Sequence, residues 1–300
     1  MNNIISVAMA TYNGERFLKE QIDSILNQSI WFDELIIRDD CSTDNTWALL
    51  LQYAAKDNRI KLKKNERNIG LVNNFELAIR DCSGDLIALS DQDDIWLNNH
   101  LEILVSNIGN KALCLADAEI IDENGIRSHK TLSYCECRDY TPIDDIQKAY
   151  TTFFYRGWFQ GASMLLRKSF IQEALPIPDI NIYHDFWFGC LACFRGGISY
   201  SPEVITLYRR HSKAVTGTKI RKSKLRTLVG HILYNKALAH RPILIAVIKQ
   251  RIDANLNFEQ KDFLNKADLY FKRRRTIFGR IINFFFEIRH FRVIYSGYKL

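Results

Sequence analysis

The chain has 300 residues, 47% of them hydrophobic and 25% charged, the proportions of a globular α/β protein able to bury its own core. Its seven cysteines (Cys41, Cys82, Cys114, Cys135, Cys137, Cys190 and Cys193) are odd in number and irregularly spaced. That argues against a secreted disulfide framework, and Cys135 and Cys137 lack the companion cluster of a zinc site. The net charge of +7 hides a division: residues 219–300 hold 19 Lys/Arg against 5 Asp/Glu, and residues 1–218 hold 22 against 29.

Ile4–Ala10 is a short apolar run that reads as a buried strand. Glu15–Gln28 follows with Phe17, Leu18, Ile22, Ile25 and Leu26 at helical spacing. Leu35–Ile37 is the next strand and runs into Arg38-Asp39-Asp40, after which CSTDNT supplies capping residues, Asp44 among them, for a helix over Trp47–Ala55. Ile60–Leu62 reads as a strand, Leu71–Ile79 as a helix after the turn Asn68-Ile69-Gly70, and Leu86–Leu89 as a strand ending in Ser90-Asp91-Gln92-Asp93-Asp94. Leu97–Val105 reads as a helix and Ala112–Ile121 as a longer strand closed by Glu123-Asn124-Gly125. Residues 126–218 are less regular: a strand-like Ala162–Leu166, an aromatic turn Tyr183-His184-Asp185-Phe186-Trp187, and a strand Ile205–Tyr208 before Arg209-Arg210-His211. The pair Cys190-x-x-Cys193 sits in the apolar run FGCLACF and reads as core. Beyond residue 219 the pattern is of helices with basic and apolar residues interleaved.

Alternating strands and helices predict βαβ units around a largely parallel sheet, with ligands outside the carboxyl ends of the strands. Three polar clusters, TYNG, DDCSTD and SDQDD, fall at such ends. There is no Gly-x-Gly-x-x-Gly and no Gly-Lys-Ser/Thr phosphate loop. Carboxylates at strand ends would repel a diphosphate unless a divalent cation lies between, so Mg²⁺ or Mn²⁺ is the expected cofactor. Asp91, Asp93 and Asp94 crowd three carboxylates into four residues. Taken alone they read as a polar loop capping a helix near Trp96; after the apolar strand LIALS they read as a metal site.

The order ATYNG, IIRDDCSTDNT, SDQDDIW resembles the inverting glycosyltransferases of family 2, which adopt the GT-A fold. The later GAS, YHDFW and YRRH elements are similar to their bacterial rhamnosyltransferase-like subset. The resemblance covers about residues 3–215 and implies a GT-A catalytic domain over 1–218. Its nucleotide-sugar half would span about 1–120 and its acceptor half about 121–218, with a basic helical extension over 219–300. It implies that Ala10, Thr11, Tyr12 and Asn13 line the base and ribose pocket and that Asp40 accepts a hydrogen bond from the pyrimidine. Asp91 would lie by the ribose, and Asp93, with Asp94 as the open alternative, would bind the metal. His211 would lie near the metal or diphosphate, although Lys213 stands where relatives often have Asn. Asp185 would be the general base, which in-line inversion requires opposite a metal-held leaving group; taken alone it also reads as a helix cap. Trp158, Phe186 and Trp187 could stack on an acceptor sugar.

The donor expected from the resemblance is a dTDP-rhamnose or UDP-hexose type nucleotide sugar, and the acceptor a glycan or lipid-linked glycan. A non-catalytic module of the same fold and a nucleotidyltransferase are the competing readings. No apolar run reaches about 18 residues and the N-terminus lacks a signal-peptide pattern, so a cytoplasmic protein is expected, on the inner face of the cell membrane. In the tail, Lys272-Arg273-Arg274-Arg275 precedes TIFGRIINFFFEIRHF. That suits a helix lying on an anionic membrane surface, with a docked helix whose basic face is in water as the alternative. The tail carries no nucleic-acid motif, and no nucleic acid is expected as a partner.

Overall fold

In a computed structural model the chain is described at residues 3–135, 144–154, 159–212, 240–274 and 276–294. The strands are β1 (Ile5–Thr11), β2 (Glu34–Asp39), β3 (Ile60–Lys64), β4 (Leu86–Ser90), β5 (Ile95–Trp96), β6 (Leu113–Ile121), β7 (Arg127–Thr131), β8 (Met164–Arg167) and β9 (Ile198–Arg209). The helices are α1 (Leu18–Leu26), α2 (Thr46–Ala54), α3 (Leu71–Asp81), α4 (His100–Ile108), α5 (Leu132–Cys135), α6 (Asp145–Phe154), α7 (Lys168–Ala174) and α8 (His184–Ala192). The C-terminal helices are α9 (Arg241–Ile252), α10 (Phe258–Arg273), α11 (Ile277–Arg289) and α12 (Phe291–Ile294).

One mixed sheet runs in the order β3-β2-β1-β4-β8-β6-β9-β5, with β7 beside β6. Its first four strands are parallel, β8 is antiparallel to both β4 and β6, and β9 is parallel to β6. Alternation along each strand divides the apolar side chains between two layers. Val7, Met9, Leu35, Ile37, Leu86 and Ala88 join Ile22 and Leu104 on one face. Ala8, Ala10, Ile36, Ile87 and Leu89 join Phe75, Phe153 and Trp187 on the other.

Two segments differ from the sequence reading. Ile95–Trp96 pairs with β9 instead of opening a helix, and α4 starts at His100. Strand β9 runs twelve residues where only Ile205–Tyr208 was legible. The register with β6 shifts between Ser201 and Val204, and Pro202, which has no N–H to offer a ladder, sits in that shift.

The described C-terminal helices join the same core as α6 and α8, through Leu244, Ile248, Phe263, Leu264 and Phe271. The expected boundary at residue 218 lies outside the described residues, as do Trp158, Cys137 and Lys213. Helix α11 is amphipathic in an inverted sense. Gly279, Asn283 and Glu287 face inward: a Cβ at Gly279 would meet Arg273 O at 2.0 Å, Asn283 Nδ2 donates to Tyr270 O at 2.7 Å, and Tyr270 donates its hydroxyl to Glu287. The opposite side exposes Phe278, Ile281, Phe284, Phe285 and Ile288, between 47% and 74% exposed.

Candidate active site

The carboxyl ends of β1, β2 and β4 face one cavity of about 1390 Å³. Its far wall comes from the 3₁₀ turn Gly161–Ser163, the start of α8, the end of β9 and the start of α9. Every residue singled out for the site lines it: Ala10, Thr11, Tyr12, Asn13, Asp40, Asp91, Asp93, Asp185 and His211. Asp94 does not.

After β1 the chain turns at Asn13, whose φ of 49° lies in the left-handed region that Asn tolerates. Asn13 N donates to Ser42 Oγ at 2.9 Å and Thr43 N to Asn13 Oδ1 at 2.8 Å. Gln92, which carried no signal in the sequence, brackets Tyr12: its Oε1 accepts Tyr12 N at 2.8 Å and its Nε2 donates to Tyr12 O at 3.0 Å. The three strand-end clusters are thus tied into one wall. Thr11 contributes backbone, because its buried hydroxyl donates to Asp39 Oδ1 at 3.1 Å.

Asp40 is 2% exposed and already engaged. Its Oδ1 accepts Asn65 Nδ2 at 2.8 Å and Ile69 N at 2.9 Å, and its Oδ2 accepts Gly70 N at 2.9 Å. It holds the 65–70 loop at the cavity edge, leaving about one lone-pair direction for a ligand.

The structure separates Asp93 from Asp94. Asp93 is partly exposed in the cavity and its Oδ2 lies 2.9 Å from His211 Nε2. Asp94 is 1% exposed and turned away; its Oδ1 accepts Arg209 N at 2.8 Å and its Oδ2 has no partner. Burial, then Asp93 and Asp91, push the Asp94 carboxyl well up. Arg209, itself buried, stacks on Phe17, donates Nε to Asp93 O at 2.8 Å and pairs with Glu20, locking β9 to the β4 loop. Burial first, then the charges of Asp93 and Asp185, push Asp91 up to about 8. Carboxylates from β4 and α8 therefore converge closely enough to oppose one another's ionisation, the electrostatic demand that a bound cation meets. Among the described residues no three His, Cys, Asp or Glu side chains form a complete ligand set. A hard cation completed by substrate phosphates fits that sparse donor set.

Asp185 sits in the first turn of α8, where its Oδ1 accepts Phe186 N at 2.6 Å. Beside it His184 is 4% exposed and stacks on Phe75 at 4.0 Å, both ring nitrogens without partners. Burial lowers its pKa against the pull of Asp185, which keeps the ring neutral. The Gln160 amide is likewise buried and unpartnered in the same wall. Gly161 allows this packing, since a Cβ there would meet His184 Nε2 at 3.1 Å. Of the expected aromatic platform, Phe186 lines the cavity. Trp187 does not: the helical turn carries it to the core side, fully buried, with its Nε1 donating to Ala174 O at 2.9 Å.

The family profile Glycosyl transferase family 2 matches residues 6–171, and the chain belongs to that family. Among its relatives is the UDP-Glc:alpha-D-GlcNAc-diphosphoundecaprenol beta-1,3-glucosyltransferase WfgD of Escherichia coli, 37% identical over 125 residues, 41% of this chain and 49% of that one. An uncharacterized glycosyltransferase of Methanocaldococcus jannaschii is 32% identical over 199 residues, 63% of this chain and 65% of the relative. The match thus spans less than two thirds of either relative's length. The fold matches Staphylococcus aureus TarS 1–349 in complex with UDP-GlcNAc at a TM-score of 0.55 and 16% identity, over 98% of this chain and 89% of TarS 1–349. It also matches the mannosyltransferase PcManGT of Pyrobaculum calidifontis in complex with GDP-Man and Mn²⁺, at 0.56 and 15%, over 99% and 85%. The fold is GT-A, with C-terminal helices added.

Proposed function

We propose that the chain transfers a sugar, with inversion, from a nucleoside-diphosphate sugar of the dTDP-rhamnose or UDP-hexose type to a hydroxyl of a lipid-linked bacterial glycan. The observation that carries this reading is the convergence of Asp91, Asp93, His211 and Asp185 on one cavity whose rim is the Ala10–Asn13 turn. Ala10, Thr11, Tyr12 and Asn13 present backbone and one exposed ring to the nucleotide, with Asp40 at the edge and Asp91 toward the ribose. Asp93, oriented by His211, would hold Mg²⁺ or Mn²⁺, which supplies neutralisation of the leaving diphosphate. Asp185, across the cavity, accepts the proton of the attacking hydroxyl. The relative acting on a diphosphoundecaprenol-linked sugar supports a lipid-linked acceptor.

The test is turnover against nucleotide-sugar binding in Asp185→Asn. Donor binding should persist while turnover falls by about 10²–10⁴, the share of a general base. Wild-type turnover in that variant would sink the assignment.

Such an acceptor requires work at a membrane, and the inverted helix α11 supports a seat on an anionic leaflet at its cytoplasmic face. The outward stripe of Phe278, Ile281, Phe284, Phe285 and Ile288 is flanked by exposed Arg280, Arg289 and Arg292. Apolar side chains bury at the headgroup boundary while cations meet anionic lipid. The alternative of a docked helix with its basic face in water fits less well, because the face in water is mainly apolar. Among the described residues no helix is long and apolar enough to cross a membrane.

A further inference from the structure

Arg241, the first residue of α9, lines the cavity beside Phe186 and is 4% exposed. Its guanidinium lies 4.0 Å over the Phe186 ring. Nη2 donates to Thr152 O at 3.1 Å, Nη1 lies 3.0 Å from His240 Nε2, and Nε has no partner among the described residues. Among the described residues no Asp or Glu pairs with it. Burial lowers its pKa to about 10, with only the Cys190 thiol opposing that shift. His240 does not compete as a cation: burial, then Arg241, bring it down to about 4, so it accepts the bond.

A buried guanidinium with no carboxylate partner among the described residues is costly, and that cost falls when an anion occupies the cavity. A guanidinium has five N–H donors and two are engaged here, so an edge remains for an oxyanion. The donor diphosphate belongs at the Asp93 end. Arg241 instead stacks on the residue next to Asp185, on the acceptor side. We propose that Arg241 binds a phosphate attached to the acceptor sugar, so that the acceptor is a glycosyl phosphate or diphosphate held between Asp185 and Arg241. This rests on the glycosyl-transfer reading above.

The test is calorimetric titration of the full chain, saturated with UDP and Mn²⁺, using farnesyl diphosphate as probe and farnesol as neutral control. The wild type should bind the diphosphate and not the alcohol. Arg241→Gln should bind about 10- to 100-fold more weakly, the worth of one charge-assisted hydrogen bond. Arg241→Lys, which keeps charge but not the planar fork, should fall between them. UDP affinity should be the same in all three. Absent wild-type binding, equal binding by Arg241→Gln, or an equal loss with farnesol overturns the proposal. So does a parallel fall in UDP affinity, which would assign Arg241 to the donor. Should Arg241→Gln not fold, equality of Arg241→Lys and wild type overturns it. Failure of UDP to bind at all would count against the glycosyl-transfer reading, while titration with farnesyl diphosphate alone still decides the role of Arg241.

Discussion

Replacing Asp40 by Asn separates nucleotide recognition from loop architecture. The carboxylate accepts three N–H groups: two on Oδ1, from Asn65 and Ile69, and one on Oδ2, from Gly70. An amide can keep its oxygen at the doubly bonded position, but then its NH₂ meets the Gly70 N–H, donor against donor. One charge-assisted bond, about 1.5–3 kcal/mol, is lost and the other two become neutral, each about half as strong. The sum is about 3–6 kcal/mol. It falls on a residue whose neighbours continue inward, since Asn65 Nδ2 also donates to Asn74 Oδ1 and Asn74 Nδ2 to Arg38 O. Urea unfolding of Asp40→Asn should therefore show a lower midpoint at unchanged slope, equivalent to about 3–6 kcal/mol. UDP binding measured at saturating stability, in low urea, should weaken as well, because the loop edge faces the cavity. Stability within about 0.5 kcal/mol of wild type would refute the structural role and leave Asp40 as a ligand group alone.

Asp93→Asn should cost about a thousandfold or more in turnover, matched by EDTA on the wild type, while Asp94→Asn stays within about tenfold because its oxygen can still accept Arg209 N; the reverse ranking would exchange their roles. Glu34 is raised by burial, yet bonds from Lys61, Ser83 and Ser6 outweigh this and bring it down to about 2 from 4.5. Its contribution, up to about 3 kcal/mol, is present above pH 4.5 and lost as pH falls toward 2, so Glu34→Gln should flatten that limb of a stability–pH curve. Identical curves for variant and wild type would rule this out. Ile281→Ser with Phe285→Ser should weaken co-sedimentation with phosphatidylglycerol vesicles at least about tenfold without unfolding the chain. Equal sedimentation would leave α11 without a membrane role. Deleting residues 272–300 is the poorer test, since Ile294 is fully buried and Asn283 and Glu287 bond Tyr270.

The first 120 residues were legible because β1, β2 and β4 are short, almost fully buried apolar runs, and each ends on a polar cluster. Parallel strands covered on both faces print that pattern directly. Residues 121–218 were less so. Helix α6 holds Lys148, Thr151 and Thr152 buried among its apolar residues, which blurs the helical stripe, and Pro202 interrupts the alternation of β9. Asp185, which lines the cavity, was singled out through its His184-Asp185 context. Arg241 was not, because a single basic residue in a tail rich in them gives no local signal; only its burial without a carboxylate partner among the described residues marks it. The inward polar residues of α11 were equally hidden, since the sequence shows that Phe and Arg interleave but not which face points out.

Strand β8 fills the gap between β4 and β6, and its place in the sheet bears on synthesis. Until residues 164–167 leave the ribosome, β4 has β1 on one side and an open edge on the other. At about 5–20 residues per second, that apolar edge waits several seconds for its neighbour. The parallel unit β3-β2-β1-β4 can form early, but it cannot close. The nascent chain is thus most vulnerable to pairing with another copy midway through translation, when a holding chaperone would matter most.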